Sequence, residues 1–136
     1  MPIKLLGFGE ISIVFEILSN DLQGLAFKRL PLFINEAQVE RHIDAYREYY
    51  NILTEKIGLT IPAQETAWVY MDEKKSKISL YCIQDKIPPE SVINKQLSTI
   101  TFDQLSPILE TILEELKKIW DFNRTNTEDL EIGIDG

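Results

Sequence analysis

The chain has 136 residues, 44% hydrophobic and 26% charged, a composition that suits one soluble domain with a real core. A formal net charge of −8 and a pI near 4.7 argue against a nucleic-acid surface and against binding to anionic membranes. One cysteine and one histidine exclude a disulfide framework and a structural zinc site. With no membrane-length apolar run and no secretory segment, a cytoplasmic setting is expected.

Residues 2–6 open the chain as a strand and lead into Leu6-Gly7-Phe8-Gly9-Glu10. Glycines at this spacing permit a tight turn that brings bare backbone N–H groups close to an anion. Residues 11–18 are β-branched and aromatic, which predicts a strand and not a helix. That choice rules out the dinucleotide-binding glycine turn, which must open a helix, and the P-loop, which needs a Gly-Lys-Ser/Thr end. Ser19, Asn20, Asp21 and Gly24 supply turn chemistry. The next strand places Ala26 and Lys28 on one face and Leu25 and Phe27 on the other. Pro31 is expected to end it, since it lacks a ladder donor. The plain alternative is an ordinary glycine-turn hairpin with an exposed lysine.

Asn35, with Gln38 three residues on, predicts a helix over residues 36–56. Val39, Ile43, Tyr46, Tyr50 and Leu53 recur at helical spacing, Ala45, Tyr49 and Ile52 form a second arc, and Gly58 fits the C-terminal cap. His42 reads as a solvated helix residue. Residues 65–71 and 77–83 form a hairpin around the charged turn 72–76, with Cys82 a small buried hydrophobe. A proline-containing linker at 84–90 precedes a short helix at 91–97. Thr101-x-x-Gln104 then caps a long helix ending near Asn123. Its apolar face is Leu105, Ile108, Leu109, Ile112, Leu113, Leu116 and Trp120, with Glu114, Glu115, Lys117 and Lys118 outward.

The pattern Gly7-x-Gly9 with Val14, then Ala26-x-Lys28, resembles the nucleotide-binding hairpin of protein kinases and kinase-like (aminoglycoside phosphotransferase-like) phosphotransferases, with Ser12 in the place of the third glycine. The order β-β-β-α-β-β resembles the kinase small lobe. The implied fold class is α+β: an antiparallel five-stranded sheet with one large helix over residues 1–87, then a hinge and the long first helix of a truncated large lobe over 88–136. The resemblance implies ATP and magnesium as cofactors and ATP-dependent phosphoryl transfer as the parent activity. Gly7, Gly9 and Ser12 would cover phosphates, Val14 and Ala26 would pack on adenine, and Lys28 would pair with phosphate oxygens. A carboxylate from the 36–56 helix should brace Lys28. Glu36, Glu40, Glu48 and Glu55 are candidates; the count back from Gly58 and Pro62 favours Glu48, with Glu40 the fallback. Asp135, in Gly-Ile-Asp where the family has His-Arg-Asp, stands where the catalytic base is expected.

The family's magnesium-binding asparagine and Asp-Phe-Gly segment are not in the sequence, so no metal ligands are assigned and little ATP binding or turnover is expected from the chain alone. The competing class is a non-catalytic α+β interaction module, kinase-like or not. It would hold a protein partner through the acidic surface and the helix faces, and the uncovered face of the long helix also favours self-association.

Overall fold

The structure, a computed structural model, describes residues 1–133, and of residues 31 and 32 only the backbone. The chain forms two compact units: residues 1–48 with 62–86, and residues 49–61 with 87 onward.

The first unit is an antiparallel sheet of five strands in the order β1-β2-β3-β5-β4. The strands are β1 (Ile3–Phe8), β2 (Ile13–Ile17), β3 (Leu25–Phe33), β4 (Glu65–Tyr70) and β5 (Ile78–Asp85). The helix α1 (Glu36–Asn51) follows β3. This is the expected sheet with one large helix. Its core is Val39 from α1 against Ile78 and Leu80 from β5, all at 0% exposure, with Leu30, Phe33, Ile43 and Trp68 around them. Residues paired across antiparallel strands point to the same side. Leu30, Leu80 and Trp68 are so paired, and they define the face that α1 covers. On the other face the Phe15 ring stacks on Phe27 at 5.7 Å and meets Tyr81 edge-on at 6.3 Å. There Arg29 Nε donates to the Oγ of fully buried Ser79 at 2.9 Å.

Pro31 does not end β3. The strand runs on to Phe33, and the register shifts between Leu30 and Phe33, so the missing donor falls within an irregularity that interrupts the ladder there anyway.

The β4–β5 turn is organised by Asp72, whose Oδ1 accepts the amides of Ser76 (2.9 Å) and Lys77 (3.0 Å) while Oδ2 accepts the Ser76 hydroxyl. Asn35 Oδ1 accepts the Gln38 amide at 3.0 Å, and the Gln38 side chain reaches back to the Ile34 amide, a capping box displaced by one residue. Residues Ile52–Lys56 continue the chain as a π-helical turn, closed by Ile57 N–H donating to Ile52 C=O at 3.0 Å. Gly58, at φ +82°, stops it in the left-handed conformation that glycine adopts without strain.

The second unit contains that turn, a short α2 (Ile93–Gln96) and the long α3 (Phe102–Thr125). Thr101 and Gln104 make the expected capping box at the start of α3. Ile52, Leu53, Ile57, Ile119 and Ile132 form the core, with Leu116, Phe122 and Leu130 packed on it. After α3 the chain folds back under two asparagines. Asn123 exchanges both bonds with the Ile132 backbone at 2.8 Å. Asn126 donates to the carbonyls of Phe122, Asn123 and Leu130 and accepts from the amides of Glu128 and Leu130.

Candidate functional site

One row of residues crosses the whole sheet: Gly7 on β1 pairs with Val14, Val14 with Lys28, Lys28 with Cys82, and Cys82 with Thr66. It lies on the α1 side, two residues along β3 and β5 from the Leu30–Leu80 pair. Ala26, at 8% exposure, is on the same face one step further along. Four of the candidate site residues, Gly7, Val14, Ala26 and Lys28, are therefore gathered on one surface. Lys28 is exposed, and its cation is close enough to affect the Cys82 thiol. Burial pushes that thiol above its usual range, and Lys28 pulls against the shift. A thiol held protonated in this way is a packing group, not a nucleophile.

Gly9 and Ser12 sit in the β1–β2 turn, where the Gly9 N–H donates to the Ser12 carbonyl at 2.8 Å. The Gly9 amide expected to face an anion is thus already engaged. Neither Gly7 nor Gly9 has a left-handed φ. A Cβ on Gly9 would sit 3.3 Å from Ser12 Oγ, so close approach is what glycine permits there, whereas a Cβ on Gly7 would meet nothing within 4 Å. The concavity at the hairpin tip, about 580 Å³, is lined by Leu5, Phe8, Ile13 and the turn residues. The register puts Leu5, Phe8 and Ile13 on the face opposite Lys28.

The brace expected for Lys28 is not made among the described residues. Among the described residues Lys28 forms no ion pair, and Glu48 is exposed and forms none. Glu48 lies nine positions from Val39, which at 3.6 residues per turn is about 180° around α1 from the face packed on the sheet. Glu40 and Glu55 are exposed and pair with no cation among the described residues, and Glu36 accepts the Tyr70 hydroxyl. Asp135 lies outside the described residues. His42 packs on the Phe33 ring at 5.4 Å.

The sheet holds a different buried charge. Glu16, 3% exposed, accepts from Lys86 Nζ at 2.8 Å, and the Lys86 amide donates to Gly24 C=O at 2.7 Å. The pair ties the end of β5 to β2. A single carboxylate inside the run Ile13-Val14-Phe15-Glu16-Ile17 was the available sign, because a charge among β-branched residues needs a partner. The Lys86 hydrogen bond holds the Glu16 carboxyl below its usual value, and desolvation opposes it. A carboxyl whose folded pKa is depressed stabilises the fold above its unfolded pKa and loses that contribution as pH falls through the folded one. Glu16→Gln is therefore expected to lower stability at neutral pH and to flatten the loss of stability below about pH 4.5. Urea titrations at a series of pH values read both effects. Asp72, held low mainly by the Ser76 hydroxyl, contributes a separate step that begins lower, near pH 3.8.

A second concavity, of about 510 Å³, is lined by Asn123, Asn126, Asp129, Leu130 and Glu131. The side-chain amides of its two asparagines are already bonded to backbone. Among the described residues no three His, Cys, Asp or Glu side chains converge as metal ligands, and no helix is long and apolar enough to cross a membrane. Compared with models of known protein families and with curated proteins, the sequence matches none.

Proposed function

We propose that the first unit is a kinase-like nucleotide-binding lobe, the ATP-facing part of a phosphotransferase. The observation that carries this reading is the cross-sheet row. Gly7, Val14 and Lys28, from three adjacent strands in the order β1-β2-β3-β5-β4, stand beside small, buried Ala26 on one face. In this reading Val14 and Ala26 pack against a purine and Lys28, whose ammonium has no carboxylate partner among the described residues, meets phosphate oxygens. Asp135 remains the base by resemblance. The donor set among the described residues does not fit magnesium.

Binding by one cation and two apolar contacts is expected to be weak, with a dissociation constant of about 1 mM or above. In NMR resolved at the side chains, ATP should shift the Val14 and Ala26 methyl and Lys28 methylene signals and leave the Phe27 and Tyr81 ring signals on the opposite face in place. Lys28→Met should abolish the shifts, and turnover should be undetectable. No response at about 10 mM ATP, or a response confined to the opposite face, overturns the reading.

Two observations favour a second reading, a non-catalytic interaction module. The Gly9 amide closes its own turn, and the hairpin concavity opens on the face away from Lys28. A chain that ignores ATP under these conditions fits it.

A further inference from the structure

We infer that the outer face of α3 is a homodimer interface, in which two copies of the chain pair their α3 helices antiparallel. The inner side of this helix is satisfied within its own unit, where Ile119 is 4% exposed and Leu116 packs on the same cluster. Four large apolar residues nevertheless point outward: Phe102 (80% exposed), Leu109 (45%), Leu113 (56%) and Trp120 (59%). Their separations are seven, four and seven residues, the a/d spacing of a coiled-coil seam, with Ser106 and half-buried Leu116 at the intervening positions. The seam spans about 27 Å at 1.5 Å per residue.

The spacing is its own mirror. Phe102 and Trp120 are each nine residues from Thr111, and Leu109 and Leu113 are each two. Reversing the helix end for end lays the seam on itself, which is what a two-fold interface requires of a single surface. Phe102 then meets the partner's Trp120, and Leu109 meets the partner's Leu113. The flanking charges are symmetric about Glu110, one residue from the centre of the seam. Asp103, Glu110 and Lys117 recur every seven residues along one edge of the seam. In the antiparallel pair Asp103 faces the partner's Lys117 at both ends, and Glu110 faces the partner's Glu110 at the axis. Among the described residues neither Asp103 nor Lys117 is in an ion pair, whereas neighbouring Lys118 is held by Glu115 at 2.6 Å and Arg124 by Asp121 at 2.8 Å. In a parallel pair this edge would lie against the partner's other edge, which carries Leu105 and Ile112, and Glu110 and Lys117 would find no opposite charge, so charge favours the antiparallel arrangement. The central Glu110 contact is repulsive and keeps the dimer weak.

Sedimentation velocity on the whole chain, from about 1 µM to 1 mM, is expected to show a monomer–dimer equilibrium with a dissociation constant of about 10 to 100 µM. Trp120 emission should shift to the blue as the dimer fills. Leu113→Glu should raise the constant by at least about tenfold, and Glu110→Gln should lower it several-fold. Asp103→Lys should weaken the dimer, and adding Lys117→Asp to it should restore the wild-type constant to within about twofold. All these positions are exposed, and circular dichroism checks that each variant keeps its helices. A chain that stays monomeric across the range overturns the inference. So does a dimer indifferent to Leu113→Glu, a failed charge-reversal rescue, or assembly into species larger than dimers.

Discussion

Leu80→Ala is expected to remove about 3 to 5 kcal/mol of stability from the sheet unit, the largest single-residue effect in that unit. Leu80 is at 0% exposure and faces Leu30 and Trp68 across its two neighbouring strands with Val39 of α1 above. Truncation removes the transfer free energy of the side chain and leaves a cavity whose walls belong to four elements, so no one of them can move to fill it. A domain with a total stability of about 5 to 15 kcal/mol has little left after such a loss. Urea denaturation followed by Trp68 fluorescence measures it. Glu40→Ala, at an exposed position of α1 in the same unit, is expected to change stability by less than about 0.5 kcal/mol in the same assay. Similar values for the two would show that the core has been misplaced.

Asn126→Ala is expected to cost about 2 to 3 kcal/mol in the second unit, because one truncation takes the side-chain partner from three half-buried backbone groups, the Asn123 carbonyl and the carbonyl and amide of Leu130. The Asn126 amide reaches the carbonyls of Phe122, Asn123 and Leu130, and its oxygen receives the amides of Glu128 and Leu130. The expected result is local. Hydrogen exchange at the Leu130 and Ile132 amides should accelerate ahead of exchange in the middle of α3. Asn126→Asp is the sharper control, since it keeps the acceptor but turns three donations into repulsion between a carboxylate and three carbonyls. It should be worse than alanine. An aspartate variant that protects Leu130 as well as the wild type does would refute the assigned role.

Local chemistry was readable along the chain. The Asn35–Gln38 and Thr101–Gln104 pairs, Gly58 after the long helix, and the charged turn at Asp72 each declare themselves within a few residues, and each forms. Alternation along β3 was enough to put Ala26 and Lys28 on one face. Long-range facts were harder. That Pro31 could be carried through β3 depends on a register shift against β5, which no local pattern announces. Lys86 finds Glu16 across seventy residues, and the sequence signalled only the carboxylate half of that pair. Counting back from Gly58 selected Glu48, whereas the helical phase set by Val39 turns it away from the sheet. The phase carries the information, because burial of the stripe fixes the helix rotation and a turn count from its end does not. The amide of Gly9 could not have been foreseen as engaged, since whether a glycine turn closes on itself or stays open depends on backbone angles that composition leaves free.

The outermost position of β1 has a consequence for how this protein behaves at high concentration. A border strand offers unpaired backbone groups to any passing extended segment, and Ile3 and Leu5, at 62% and 58% exposure, add an apolar surface beside them. Runaway strand addition is the hazard, and the strand carries three obstacles to it. Pro2 has no N–H to donate to an added strand, the register breaks between Leu5 and Gly7, and Lys4 sets a cation between the two apolar residues, across from Glu16. Only the last can be removed by one substitution without altering the backbone. Lys4 is thus the one guard of this edge that a single side-chain exchange can take away, leaving the proline and the register break to act alone.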